Sequence, residues 1–120
     1  VIMALLESNL LDVFTDCLDG KDLDLRFSDK KAVCLVMTSG GYPGNYEIGY
    51  EITGLDKVKE SEVLFAGAEI HQGKVVTSGG RVLNIVATGD TYQEARKKVY
   101  QDALTLRFDY AYYREDIGNF

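Results

Sequence analysis

The residues of this chain best suited to chemistry are an arginine and the two glycines in front of it. Thr77-Ser78-Gly79-Gly80-Arg81 follows directly on an apolar run. Glycines leave backbone N–H groups accessible and a guanidinium offers a planar fork of donors, so the set can hold a phosphate at two or three points. The same four residues recur at Thr38-Ser39-Gly40-Gly41, again behind an apolar run, and open the loop 39–46 with the only proline. In a chain with 12 glycines such a match is close to chance and is not read as an internal repeat. Neither stretch matches a P-loop or a dinucleotide-binding fingerprint, so each taken alone is a turn.

Other chemistry finds little support. His71 is the single histidine and stands beside a hairpin turn, which makes it a surface residue and leaves a zinc site or a Cys-His dyad without a second ligand. The 19 carboxylates offer no evident acid/base couple. Asp19, Asp22, Asp24 and Asp29 cluster around Gly20 without the spacing of a calcium loop, and read as a solvated turn. No catalytic residue and no metal ligand is assigned.

Strands must position the arginine. Residues 31–38 are short and rich in β-branched side chains, which predicts a strand buried on both faces, and 81–88 predicts another by its alternation. Short strands are expected at 49–54 and 62–66, and a hairpin at 68–71 and 74–77 around Gln72-Gly73. Turn residues bound each segment, so antiparallel pairing is expected. Leu6, Leu10, Leu11, Phe14 and Leu18 follow one helical face, with Ser8 or Asn9 as cap and Gly20 as stop. Thr91-Tyr92-Gln93-Glu94 is a capping box, in which hydroxyl and carboxylate are expected to satisfy each other's amides. Ala95, Val99, Ala103 and Leu106 then predict a helix to about residue 107. The tail 108–120 is too apolar to float free. An opening of Val1-Ile2-Met3-Ala4-Leu5-Leu6 is apolar for a chain end, as if cut from something larger.

Composition narrows the class. The chain has 120 residues, 46% hydrophobic and 27% charged, the length and make-up of one globular domain. A net charge of −6 without basic clusters argues against nucleic acid or anionic membrane as partner, although one or two arginines suffice for a small anion. Cys17 and Cys34 form no C-x-x-C pair and sit in apolar runs, so both are expected as buried, reduced thiols of a cytoplasmic protein. No apolar run approaches the ~18 residues of a membrane helix, and no basic leader opens the chain.

Four motifs in order give the chain a likeness to a known family. Ser39-Gly40-Gly41-Tyr42-Pro43-Gly44-x-Tyr46-Glu47, then Gly79-Gly80-Arg81-Val82-Leu83, Gly89-Asp90-Thr91 and Tyr113-Arg114-x-Asp116-Ile117-Gly118 together resemble the C-terminal part of the phosphoribosylamine–glycine ligases. The stretch Leu6-Glu7-Ser8-x-Leu10-Leu11 resembles the helix that ends their ATP-grasp domain. The resemblance implies an α+β fold, a small antiparallel β-sheet with one long C-terminal helix, preceded by that N-terminal helix. Residues 1–28 would close the ATP-grasp domain and link it to a C-terminal domain at 29–120.

The same resemblance implies a function. These enzymes use ATP and Mg²⁺, with Mn²⁺ as a substitute, to activate glycine as an acyl phosphate, which the amine of 5-phosphoribosylamine attacks to give glycinamide ribonucleotide in purine synthesis. Nucleotide and metal belong upstream of Val1, so the fragment alone is expected to be inactive and to partner the rest of its polypeptide. Related ligases grip the substrate phosphate with basic residues just before such a strand. The implied substrate-binding residues are therefore Arg81, with Gly79 and Gly80 as amide donors, and Ser39, Gly40, Gly41 and Tyr42, whose loop faces either the substrate cleft or the N-terminal domain. Glu115 stands where the family often carries a second basic residue, so Arg114 is expected to pair with Asp116 or a neighbouring domain. The alternative is a non-catalytic binding or interaction module that keeps the fold.

Overall fold

In the computed structural model, which describes residues 1–119, the two apolar, β-branched runs form the longest strands. Along the chain come α1 (Ile2–Leu5), α2 (Leu10–Leu18), β1 (Lys31–Ser39), β2 (Glu62–Phe65), β3 (Ala68–His71), β4 (Lys74–Thr77), β5 (Arg81–Gly89), α3 (Tyr92–Ala103) and β6 (Ala111–Tyr112). A four-stranded antiparallel sheet has the order β2-β5-β1-β6, and β3 and β4 pair separately. Helix α3 lies across one face of the sheet. Val33, Leu35 and Met37 of β1, and Leu83, Ile85 and Ala87 of β5, pack there with Ala95, Val99 and Ala103. Full burial of an aliphatic side chain is worth roughly 1.5–3 kcal/mol, so this layer holds the domain together.

The strand β1 is buried by this core on one face only, not on two. Leu35 and Met37 are nearly inaccessible, whereas Cys34, Val36 and Thr38 on the opposite face are half-buried. The expected strand at 49–54 is absent. Gly49 and Ile52 donate their N–H groups to the Thr77 and Val75 carbonyls at 2.7 and 2.8 Å, but the pairing amounts to single bridges, Glu51 with Val76 and Thr53 with Arg107, because the segment crosses from the hairpin to the loop behind α3. At Gln72 and Gly73 the φ angles are +50° and +78°, the left-handed pair that a two-residue hairpin turn requires.

Helices α2 and α3 start where the sequence says and differ in detail. Asn9 caps α2 by accepting the Leu11 N–H at 2.9 Å. Leu11, Phe14 and Leu18 nevertheless face outward, and Val13 is the buried residue of α2. Cys17 shares this exposed side and Cys34 lies on the half-buried face, so neither is the fully buried thiol expected. Helix α3 stops at Ala103 rather than near residue 107, because the Thr105 hydroxyl turns back onto the Asp102 carbonyl at 2.7 Å and Leu106 and Phe108 enter the core.

At the start of α3 the Thr91 hydroxyl accepts the Glu94 N–H at 3.1 Å. The Glu94 carboxylate takes the N–H of Asp90, not of Thr91, at 2.9 Å, and also pairs with Lys98 at 2.9 Å. Removing the cap hydroxyl leaves that amide without its partner. Thr91→Ala is therefore expected to lower stability by about 1 kcal/mol, read as a drop in the denaturation midpoint of the chain; an unchanged midpoint would mean that Asp90 takes over the cap.

The apolar tail is docked as expected. Tyr113 and Ile117 pack on the core, Arg96 donates to the carbonyls of Ile117 and Glu115 at 3.1 and 2.6 Å, and the Tyr100 hydroxyl donates to the Arg114 carbonyl at 2.6 Å. Phe120 lies outside the described residues.

Candidate functional site

Arg81 reaches the open face of the sheet because β5 carries a bulge. Met37 pairs with Leu83, but Thr38 pairs with Arg81, so Val82 is an extra residue opposite β1. Side chains alternate along a strand, and a bulge reverses that alternation locally. Val82 and Leu83 are both fully buried on the helix side in consequence, and Arg81 turns outward. There it lines one cavity of about 330 Å³ with Cys34, Val36, Thr38 and Tyr42, and another of about 590 Å³ with Tyr42, Tyr46 and Asn84. Among the described residues its guanidinium has no hydrogen bond and no ion pair, so its donors are available to a ligand.

The two Ser-Gly-Gly stretches meet beside it. Ser39 donates its N–H to the Gly80 carbonyl at 2.8 Å and its hydroxyl to the Gly79 carbonyl at 2.9 Å. Ser39 is itself buried, so its polar groups are committed to holding the two turns together rather than to a ligand. The Ser39 carbonyl accepts the Tyr42 N–H at 3.1 Å, which folds the loop back over Gly80. A Cβ on Gly80 would overlap the Tyr42 ring, so only glycine lets the tyrosine close over this turn. Tyr42, in cis linkage to Pro43, lies 6.1 Å from Tyr46 between ring centroids. Arg81, Gly79, Gly80, Ser39, Gly40, Gly41 and Tyr42 thus form one neighbourhood, although 40 residues separate Ser39 from Gly79 in the hydrogen bond that joins them.

The tail adds a second cation. Strand β6 pairs with Thr38 and Ser39, and this brings Tyr112 and Arg114 to the rim of the cavity that Arg81 lines. The expected pair of Arg114 with Asp116 is present and bidentate, at 2.8 and 2.5 Å. The Arg114 guanidinium holds the Asp116 carboxyl below the usual carboxylate range. The sequence reading supplies this partner but not the place beside Arg81, which depends on the β1–β6 pairing.

Elsewhere the polar groups serve the fold. A cavity of about 420 Å³ is lined by Asn45, Tyr46, Glu47, Tyr50, Asp109 and Tyr110. Within it the Tyr50 hydroxyl donates to Glu47, which, with burial, pushes the phenol up to about 12. Burial pushes the Cys34 thiol up as well, away from nucleophilic use. His71 is exposed at its hairpin. Among the described residues, no group of three or more His, Cys, Asp or Glu is placed to hold a metal. The glycine turns do not match the phosphate-binding loop G-x-x-x-x-G-K-[ST], since no Lys-Ser or Lys-Thr pair follows their glycines. No helix of the described residues is long and apolar enough to cross a membrane.

Comparison with known proteins agrees with this architecture. Residues 32–120 match the family described as phosphoribosylglycinamide synthetase, C domain. The phosphoribosylamine–glycine ligase of Caldanaerobacter subterraneus is 48% identical over 119 residues, covering 98% of this chain and 28% of its own length. The trifunctional purine biosynthetic protein adenosine-3 of Gallus gallus is 41% identical, with 98% of this chain and 12% of its own length covered. The crystal structure of the Thermotoga maritima phosphoribosylamine–glycine ligase superposes with a TM-score of 0.78 at 35% identity, over 89% of this chain and 27% of that one. The chain thus spans less than a third of the length of these relatives. By sequence match and by the superposed α+β fold, it belongs to the phosphoribosylglycinamide synthetase C-domain family.

Proposed function

We propose that this chain is the substrate-side C-terminal domain of a cytoplasmic phosphoribosylamine–glycine ligase, which joins glycine to 5-phosphoribosylamine and releases ADP and phosphate. The observation that carries this reading is the meeting of the two Ser-Gly-Gly turns under Tyr42 beside Arg81, whose guanidinium has no partner among the described residues. A 5-phosphate placed against β5 would take the Arg81 fork at two oxygens, with the amides of Gly79 and Gly80 behind it. Ser39 acts indirectly, since its bonds to the Gly79 and Gly80 carbonyls fix the peptide planes that carry the Gly80 and Arg81 N–H groups, while Gly40, Gly41 and Tyr42 form the wall above. Held this way, the ribosylamine presents its amine to the upstream domain. Positioning of this kind lowers the barrier without any proton transfer by this chain.

ATP and Mg²⁺, or Mn²⁺, are bound by upstream domains and supply the activation of the glycine carboxylate. Residues 1–28 are the end of the ATP-grasp domain and its linking helix, and 29–120 the C-terminal domain. The outward apolar face of the first segment supports this division. Ile2, Met3, Leu11, Phe14, Leu18 and Phe27 are each at least 49% exposed, and in relatives more than three times as long the rest of the polypeptide is available to cover them.

The test is ADP release that depends on both glycine and phosphoribosylamine. The full-length protein is expected to turn over and the isolated 120 residues to show none. Turnover by the isolated chain above a blank would refute the division of labour. A full-length protein that binds the pentose phosphate without turnover would favour the non-catalytic module.

A further inference from the structure

Arg81 faces a cavity whose opposite rim is also basic, and the ligase reading assigns no role to that rim. The cavity of about 330 Å³ runs from Cys34, Val36 and Thr38 on the open face of β1 to Arg81 on one side and Arg114 on the other. The two arginines come from distant parts of the chain, one from the bulge in β5 and one from the tail, and meet through the β5–β1–β6 pairing. We propose that Arg114 is a second anion-binding residue of this site, closing with Arg81 on the phosphate monoester of the substrate. The proposal rests on the ligase reading for the identity of that substrate.

Three features support a binding role over a merely structural one. First, the main chain around Arg114 is anchored independently of its side chain. Its carbonyl accepts the Tyr100 hydroxyl at 2.6 Å, the same hydroxyl accepts the Ile117 N–H at 3.0 Å, and the carbonyls of Glu115 and Ile117 take Arg96. The guanidinium is thus not needed to dock the tail. Second, the Asp116 fork engages Nε and one Nη, which leaves three of the five guanidinium N–H donors for a ligand. A carboxylate that clamps an arginine in this way removes rotamer freedom that a ligand would otherwise have to remove. Third, the pair is solvent-accessible, with 64% and 60% of the two side chains exposed, so it adds little to stability. A phosphate of nearly two negative charges can draw on both guanidiniums while Asp116 keeps its own contact.

The test uses the full-length ligase with ribose 5-phosphate as probe, titrated calorimetrically, and the Michaelis constants of all three substrates. Arg114→Ala is expected to weaken the probe and raise the phosphoribosylamine constant roughly 10- to 150-fold, as for one charge-assisted contact. The constants for ATP and glycine should stay within about twofold. Arg114→Lys should recover part of the loss, and Asp116→Asn, which keeps the guanidinium but loosens it, should weaken the probe roughly 2- to 10-fold. If Arg114→Ala loses its folded circular-dichroism signal, Arg114→Gln carries the same expectation.

Wild-type affinity in Arg114→Ala together with a loss in Arg81→Ala would overturn the proposal and leave the ligase reading standing. Equal rises in all three constants would overturn it in favour of domain packing. Wild-type affinity in both arginine variants would overturn the placement of the phosphate on this face altogether.

Discussion

In the full-length ligase, Arg81→Ala is expected to raise the Michaelis constant for phosphoribosylamine roughly 10- to 150-fold and to leave those for ATP and glycine nearly unchanged. The size follows from the loss of one charge-assisted contact, about 1.5–3 kcal/mol, at 1.4 kcal/mol per decade. The selectivity follows from the proposed reading, in which Arg81 meets the phosphate of phosphoribosylamine while ATP and glycine are assigned to upstream domains. Arg81→Lys should restore only part of the affinity, because an ammonium keeps the charge without the two-point fork. Stability should hardly respond, since this guanidinium has no partner among the described residues. A variant that loses affinity for all three substrates alike would show that Arg81 packs against a neighbouring domain instead.

The largest effect on stability is expected at a residue with no part in the site. Asp102 is only 3% exposed, and its carboxylate accepts the N–H groups of Lys59 and Glu60 at 3.1 and 2.9 Å. It therefore ties the loop before β2 to the end of α3. Burial pushes this carboxyl up, but the backbone donors of Glu60 and Lys59 outweigh it and hold the group below its ordinary range. Asp102→Ala removes both acceptors and leaves two amides unpaired, a loss of about 2–3 kcal/mol, read from the denaturant midpoint at neutral pH. The pH dependence has a definite sign. A depressed carboxyl contributes its stability above the unfolded value of about 3.9 and loses it as pH falls through the folded value. The wild-type chain should therefore destabilise more steeply than Asp102→Asn across that acid range. Parallel acid limbs would mean that Asp102 contributes no linkage.

What the sequence could show was decided by range. The Asn9 cap, the Gln72-Gly73 turn, the Thr91 cap and the two long strands depend on residues within a few positions of one another, and the structure has all of them. Where a distant partner decides, the reading failed. Residues 49–54 have the composition of a strand but meet their neighbours at single bridges, and α3 ends early because Leu106 and Phe108 are drawn to the core. The outward face of α2 carries the leucines that periodicity alone would bury. Likewise the duplicated Ser-Gly-Gly is visible as a pattern, whereas its two copies become neighbours only when β1 and β5 pair. Arg114 entered the cavity for the same reason.

The extra residue in β5 has a consequence for how this domain tolerates change. In a regular strand a side chain's face depends on whether its position is odd or even, so Arg81 would share the face of Leu83 and Ile85, against α3. Val82 switches that parity for Arg81 while the rest of β5 keeps its register with β1. The orientation of the guanidinium is thus a matter of counting rather than of residue type. Substitutions along β5 act gradually, through volume and polarity, but a change of one residue in length at the bulge acts as a toggle, directing a charge either to solvent or into the hydrocarbon layer beneath the helix.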